Sequence, residues 1–321
     1  MKNREIGGYF SLEGKYDGIE FHKGISLNSG RNCLQLLIRE YCIKKIYLPY
    51  YLCLVIKDTC LDEKVKIIYY HIDSNFLPNI STLELDDSSY VYIVNYFGFL
   101  NLNKIQKLKR MYKNIIIDNT HAFFDKVCKN IPTIYNCRKY FGVPDGAYLY
   151  ANINNVNIYP KAKSYSRIKH LIGRIEEGAP AYYSDFLIAD KTFDHKNIEL
   201  MSNFTHFLLS GIDYKIVKKV RRNNFLILNN YLSKINLISI SKTLDFMYPL
   251  LIEKGKELRN YLISNKIYIP KLWPNLDKFP LNDFEHSLFD NLVCIPIDQR
   301  YTSEEMQYIL TLIGKFLGDN L

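Results

Sequence analysis

The stretch IIIDNTH, residues 115–121, decides the fold of this chain, because an acidic residue follows directly on a run of three isoleucines. Short continuous runs of β-branched residues are typical of strands buried on both faces of a parallel sheet. The carboxyl ends of such strands face the ligand crevice of an open α/β sheet. Asp118 at that position could hold a cationic ring nitrogen, and His121 could donate a hydrogen bond to a ring oxygen. A helix-capping aspartate and a hydrogen-bonded core histidine are the structural alternatives.

Similar runs and helical periods alternate on both sides of this stretch. One amphipathic helix is predicted from Leu34 onward, where apolar residues recur at i, i+3, i+4 and i+7, and another over residues 101–112. This alternation predicts an α/β fold with a mainly parallel central sheet and helices on both faces. The further strands of the sheet are predicted over residues 46–48, 65–70, 90–94, 132–135 and 146–150.

The region after about residue 160 has a different pattern, which is typical of a small α+β unit. Helices are predicted over residues 200–234, 254–265 and 303–317, and strands over residues 246–252, 267–269 and 292–297. A length of 321 residues also exceeds the usual size of a single hydrophobic core. The sequence therefore predicts a large α/β domain over residues 1–190 and a small C-terminal α+β domain over residues 191–321.

The composition excludes several classes of protein. Apolar residues make up 48% of the chain, which rules out wholesale disorder. The net charge of +9 is too mild to indicate nucleic-acid binding, but it suits anionic small molecules. Seven cysteines without a CxxC pair, and histidines without ligand spacing, lead us to expect neither disulfides nor a metal. Because the sequence shows no signal peptide or membrane span, we expect a soluble, cytoplasmic protein.

The segment LNSGRN, residues 27–32, precedes the first predicted helix. Free backbone amides at a helix N-terminus form an anion site when a glycine permits close approach. Ser29, Gly30 and Arg31 are therefore candidates for binding a phosphate group. The alternative is that Ser29 simply caps the helix.

The segment YNCRKYFGVPDGA, residues 135–147, places Lys139 in a loop between two predicted strands. Aromatic residues and a Gly/Pro turn flank this lysine. A lysine in partly desolvated surroundings beside cationic charge can attack a carbonyl group as the neutral amine. A solvated surface lysine is the alternative.

The order of these three segments indicates more than any of them alone. A phosphate site, a carboxylate about 90 residues later and a lysine about 20 residues after that are the groups that binding of pyridoxal 5'-phosphate (PLP) requires. The carboxylate keeps the pyridine nitrogen protonated, while the lysine forms a Schiff base and later shuttles the proton.

The same segments resemble the DegT/DnrJ/EryC1/StrS family of sugar aminotransferases, which have PLP fold type I, and in particular a short branch associated with surface polysaccharides. Residues 29–32, SGRN, resemble the family's Ser-Gly-Thr phosphate turn, and residues 48–53, LPYYLC, resemble its Leu-Pro-Ala-Tyr-Thr-Cys segment. Residues 117–122, IDNTHA, are similar to its Glu-Asp-Ala-Ala-Gln/His-Ala motif. Lys139 with residues 145–147, DGA, is similar to its lysine, five residues and Glu-Gly-Gly.

The resemblance implies a homodimer that binds PLP. The amino group would pass from L-glutamate or L-glutamine to a nucleotide-linked keto sugar, in the biosynthesis of surface polysaccharide or amino sugars. Lys139 would be the Schiff-base lysine, Asp118 the partner of the pyridine nitrogen, and His121 a neighbour of the ring oxygen. Gly30 and Arg31 would supply amides to the phosphate.

The chain also departs from the family pattern. The loop before the lysine is two residues shorter, so that Asn136 becomes the candidate for replacing the phosphate-binding serine, and the ring-stacking aromatic falls on Cys53. Among the candidates for substrate binding, Arg300 could bind a carboxylate or form a structural ion pair, Trp273 could line the sugar pocket or pack, and Tyr51 is a third. Two alternatives stay open: other PLP chemistry, or a cofactor-free scaffold that binds a sugar nucleotide or a partner enzyme.

Overall fold

The computed structural model describes residue 12 and residues 18–80, 85–86, 88–195 and 197–318. Its central sheet has eight strands: β1 (Ile25–Leu27), β2 (Lys45–Pro49), β3 (Lys66–Ile72), β4 (Pro78–Asn79), β5 (Ser89–Val94), β6 (Ile115–Asp118), β7 (Thr133–Asn136) and β8 (Ala147–Tyr150). Their order across the sheet is β1-β8-β7-β6-β5-β2-β3-β4. The pairs from β3 through β2, β5 and β6 to β7 are parallel, and those involving β1, β8 or β4 are antiparallel. The predicted mainly parallel α/β sheet is thus confirmed.

Three helices connect successive strands of this sheet: α1 (Gly30–Glu40), α2 (Leu54–Asp62) and α3 (Leu102–Tyr112). The hydroxyl of Ser29 caps α1, and the side chain of Asn101 caps α3 in the same way. The three isoleucines of β6 are fully buried, as the sequence predicts for a strand covered on both faces. We call β1–β8 with α1–α3 the large lobe.

Two short helices follow the sheet, α4 (Lys169–Glu176) and α5 (Tyr183–Lys191). Only Gly173 and Ala189 are buried within this helix pair, and an ion pair of 2.8 Å between Lys169 and Asp185 joins the two helices. The chain then returns to the sheet, where the backbone of Met201 donates to β1. The division of domains at residue 190 stays a prediction.

The C-terminal lobe packs helices around a two-stranded antiparallel sheet. Its elements are α6 (Asn203–Ser210), α7 (Tyr214–Leu232), β9 (Met247–Leu251), α8 (Gly255–Ser264), α9 (Asp283–Asn291), β10 (Leu292–Pro296) and α10 (Ser303–Leu317). The predicted strand over residues 267–269 is wrong. The backbone N–H of Ile267 donates to the carbonyl of Leu262, so this segment closes α8 instead of pairing with a strand.

Within the described ranges, no helix combines the length and the apolar character that crossing a membrane would need.

Candidate active site

Asp118 is the last residue of β6 and lies beside Val94 at the carboxyl end of the parallel sheet. The side chain is buried, with Oδ2 accepting a hydrogen bond from Tyr92 Oη at 2.8 Å and Oδ1 accepting one from the backbone N–H of Thr120 at 2.9 Å. Burial raises the pKa of this carboxyl, while the bonds from Thr120 and Tyr92 and the charge of Lys139 oppose that shift. The residue opens a turn and not a helix, so it is not the helix cap that the sequence left open.

Lys139 ends the short 3-10 turn Cys137–Lys139 that follows β7. Its charge acts to lower the pKa of Asp118, His121 and Cys53, so all three side chains lie within electrostatic reach of its amine. The lysine is exposed, which differs from the partly desolvated surroundings that the sequence predicts. Its Nζ makes no hydrogen bond or ion pair with any described residue. The structure therefore brings the predicted acid and the predicted lysine to one place, which we call the candidate crevice.

His121 lies in the turn after Asp118 and is 4% exposed. Its ring stacks on Phe246 at a centroid distance of 4.1 Å and is parallel to the ring of Trp273 at 6.0 Å. Burial lowers the pKa of His121 to about 3, and the charge of Lys139 adds to this effect. Nδ1 is buried without a hydrogen-bond partner among the described residues. The histidine is therefore neutral at physiological pH and retains hydrogen-bonding capacity, unlike a satisfied core histidine.

The N-terminus of α1 presents backbone amides to the same region. Ser29 caps the helix through its hydroxyl, and no described residue accepts a hydrogen bond from the amides of Gly30 and Arg31. A Cβ atom at Gly30 would lie 3.6 Å from Nδ2 of Asn136, so the glycine keeps open a gap between the helix and that side chain. Asn136 Oδ1 accepts from the backbone N–H of Arg138 at 3.0 Å, which leaves Nδ2 as its donor. These N–H groups form a cradle suited to an anion.

The C-terminal lobe holds the backbone carbonyl of Tyr140, the residue after Lys139. The carbonyl oxygen of Tyr140 accepts from Arg221 Nη2 at 3.0 Å and from Gln299 Nε2 at 2.9 Å. The hydroxyl of Tyr140 donates to Asp245 Oδ1 at 2.8 Å. Arg221 is buried and also donates to the backbone carbonyl of Asp245 at 2.7 Å. Contacts between the two lobes therefore position the lysine.

The three residues predicted to contact substrate differ in their surroundings. Trp273 is half-buried beside His121, and its backbone has a φ of 50°, an uncommon conformation for a bulky residue. Tyr51 is buried and packs edge-on against Trp273 at 4.8 Å. Arg300 forms a two-point ion pair with Asp298, with distances of 2.7 and 2.8 Å, which is the structural alternative left open by the sequence. Substrate binding by these residues stays a prediction.

The sequence reasoning missed Tyr92 and Asp190. Tyr92 lies within the strand predicted over residues 90–94, but its contact with Asp118 depends on β5 lying beside β6, a strand order that the sequence does not predict. Asp190 lies on α5 and has no motif around it. Although burial acts to raise the pKa of Asp190, the charges of Arg138, Arg31 and Lys139 lower it overall. The helix pair therefore brings a carboxylate to the edge of the candidate crevice.

No protein-family model matches this chain, and no curated protein matches it. Solved structures do match. A DegT DnrJ EryC1 StrS aminotransferase from Brucella abortus is similar with a TM-score of 0.62 and 13% identity, over 92% of this chain and 86% of that one. The sugar aminotransferase CalS13 from Micromonospora echinospora is similar with a TM-score of 0.65 and 13% identity, over 91% and 86%. NtdA from Bacillus subtilis, solved with bound cofactor PMP, has a TM-score of 0.64 and 12% identity, over 91% and 73%. The chain therefore has the fold of the DegT/DnrJ/EryC1/StrS sugar aminotransferases, as its sequence predicts.

Proposed function

We propose that this protein is a PLP-dependent aminotransferase that acts on a nucleotide-linked keto sugar. The observation that carries the proposal is the convergence of Asp118 and Lys139 on one crevice at the carboxyl end of the parallel sheet. The shared fold and the PMP bound in NtdA support it. The expected donor is L-glutamate or L-glutamine, and the expected role is in surface polysaccharide or amino-sugar biosynthesis.

The residues of the crevice fit the cofactor. The amides of Gly30 and Arg31, with Nδ2 of Asn136, would hold its phosphate, because they are N–H groups without another acceptor beside an open gap. Asp118 would bind the pyridine nitrogen, and the unpartnered nitrogen of His121 would bind the ring oxygen. When bound, PLP supplies a ring that accepts electrons from the carbon next to the transferred amino group.

The protein's own side chains then have separate tasks. Hydrogen bonds from Tyr92 and Thr120 hold the carboxylate of Asp118 in place and stabilise its charged form. The amine of Lys139 moves the proton at the reacting carbon, and its free Nζ can swing for that purpose. Trp273, His121 and Phe246 form a row of rings that excludes water from one side of the crevice.

The test is spectroscopic. Addition of PLP to the purified protein should produce a visible absorption band, and borohydride reduction followed by peptide mass spectrometry should find a pyridoxyl group on Lys139. Lys139→Ala should lose both signals, while Lys129→Ala, which removes an exposed lysine of the same lobe, should keep them. L-glutamate or L-glutamine should then bleach the band, and a keto sugar nucleotide should restore it. Absence of the band in the unmodified protein would overturn the proposal.

A homodimer is part of the proposal. Large apolar side chains are exposed on and around α4 and α5, including Tyr165 at 77%, Ile175 at 84% and Ile188 at 64%. Such concentrations on a soluble protein mark interaction surfaces. We expect Ile175→Asp with Ile188→Asp to convert a dimer to a monomer in light scattering, and Met111→Asp on α3 to leave it unchanged. A monomer for the unmodified protein would contradict this part.

A cofactor-free scaffold is the second candidate. It is favoured by Cys53, which stands where the family's ring-stacking aromatic is expected, and by the exposure of Lys139. A protein that stays colourless with PLP but binds a sugar nucleotide in calorimetry would support it.

The cysteines of the described chain are all free, but the cytoplasmic location stays a prediction.

A further inference from the structure

Buried nitrogen atoms without a hydrogen-bond partner are concentrated near Arg138. Five buried side-chain N or O atoms in the described ranges lack a partner, and Arg31 Nε, Arg167 Nη1 and His170 Nδ1 are three of the five. The charge of Arg138 interacts with each of these three side chains. Native proteins satisfy nearly all buried polar groups, so this concentration calls for an acceptor from outside the chain.

The three arginines surround one aromatic ring. The guanidinium carbons of Arg138 and Arg167 lie 4.4 and 4.5 Å from the centroid of Phe193, and that of Arg31 lies 5.9 Å away. Burial lowers the pKa of Arg138, and its like-charged neighbours Arg31 and Arg167 act in the same direction, against Asp190. We call Arg31, Arg138 and Arg167 the arginine cluster. It holds three like charges in a partly desolvated place.

The carboxylates beside the cluster only partly neutralise it. Asp190 lies 2.9 Å from Arg138 and 3.8 Å from Arg31, and Asp194 lies 3.3 Å from Arg31. Both carboxylates are nearly half exposed, whereas Arg167 is 7% exposed and bonds through Nε only to the hydroxyl of Thr192. Three guanidinium groups against two rim carboxylates leave positive charge, and the buried arginine keeps an unused donor.

A purely structural role would be to fasten the segment around α5 to the large lobe. Stacking on Phe193 and the bond from Arg138 to Asp190 would be enough for that role. It does not explain why Arg31 and Arg167 keep buried N–H groups without acceptors. A tetrahedral anion with several oxygens matches such a set of donors.

We propose that the arginine cluster binds a phosphate group, with Asp190 as a competing internal counter-ion. The source is either the diphosphate of a nucleotide-linked substrate or, if the cluster takes the place of the amide cradle, the phosphate of the cofactor, and in this respect the proposal rests on the proposed function. The cluster differs from the amide cradle at Gly30, since its donors are side chains grouped around Phe193.

Calorimetric titration of the full chain with inorganic phosphate and pyrophosphate, without PLP, tests the site itself. Arg167→Gln should weaken binding by about 10- to 100-fold, as loss of a charge-assisted bond does. Asp190→Asn should strengthen binding several-fold, and Arg174→Gln, an exposed arginine on α4, should change nothing. Opposite shifts in two variants cannot come from misfolding. Absence of binding by the unmodified protein, or equal affinity in all variants, overturns the proposal.

Two further titrations identify the source of the phosphate. If Arg167→Gln weakens binding of PLP but not of pyridoxal, the cluster holds the phosphate of the cofactor. If pyrophosphate still binds to the PLP-loaded protein and depends on Arg167, the cluster holds the diphosphate of the substrate. Because the first titration uses no PLP, a failure of the aminotransferase proposal leaves its outcome readable.

Discussion

Replacement of Tyr92 by phenylalanine tests how the protein keeps a buried carboxylate charged. The hydroxyl of Tyr92 is buried and donates to Asp118 Oδ2 at 2.8 Å, and this bond acts to lower the pKa of the carboxyl. A hydrogen bond to a charged group contributes about 1.5–3 kcal/mol, so Tyr92→Phe should lower the free energy of unfolding by that amount at alkaline pH. The pKa of Asp118 in the folded protein should rise further.

The sign of the pH dependence follows from this bond. It stabilises the ionised carboxyl, so its contribution is present above the pKa of Asp118 and shrinks as the pH falls through that pKa. Urea denaturation at alkaline pH and at a pH below the pKa of Asp118 should show a large difference between Tyr92→Phe and the unmodified protein at the first pH only. Tyr70→Phe is the control, because the hydroxyl of Tyr70 donates to the neutral backbone carbonyl of Tyr92 at 2.7 Å. Its cost should be about 1 kcal/mol at both pH values. An equal loss for Tyr92→Phe at both pH values would refute the reasoning.

Three more predictions concern stability. Burial lowers the pKa of His22 from its ordinary 6.5 to about 4. As the pH falls from 6.5 to about 4, the unfolded chain therefore binds a proton that the folded protein does not, and the free energy of unfolding should decrease by about 3 kcal/mol. His22→Gln should flatten that part of a denaturation-against-pH curve, and an unchanged slope would contradict the assignment. A Cβ at Gly255 would lie 1.7 Å from the backbone oxygen of Asn291, whereas one at Gly142 would have its nearest neighbour at 3.9 Å. Gly255→Ala should therefore lower the free energy of unfolding by more than about 3 kcal/mol in thermal denaturation, and Gly142→Ala by less than about 1 kcal/mol. Similar losses for the two variants would show that the helix can shift. Arg221→Gln removes a buried donor to several carbonyl groups and should cost about 3 kcal/mol or more, so that a melting temperature close to that of the unmodified protein would disprove its bridging role.

Much of the fold could be predicted because the burial pattern is visible locally. The strands of the parallel sheet are continuous apolar runs, which is what burial on both faces requires. The closing helix was predicted with both of its ends, and a capping box between Thr302 and Glu305 and a left-handed Gly318 mark these ends in the structure. In contrast, α2 has no side chain that caps its N-terminus and little amphipathic character, so the sequence contains no signal that predicts this helix. The three-residue strand β1 depends on long-range pairing with β8 and with the segment at Leu200 and Met201.

The candidate site follows the same division. Asp118, His121 and Lys139 can be predicted because Asp118 ends a recognisable strand and the other two each lie three residues after the end of one. Phe193 and Arg221 are not predicted, because they reach the site from the turn after α5 and from α7, far along the chain, and no periodicity encodes such long-range convergence. The exposure of Lys139 was also missed, since burial of a loop residue depends on what packs above it.

The grip on the carbonyl of Tyr140 has a consequence for how this protein can be altered. Arg221 and Gln299 belong to the C-terminal lobe. Replacing that lobe with the one of a distant relative would therefore remove both hydrogen bonds to the loop that carries Lys139, even if every crevice residue were kept. A lobe exchange that aims to change the acceptor preference should therefore keep Tyr140, Arg221 and Gln299 together in the hybrid protein.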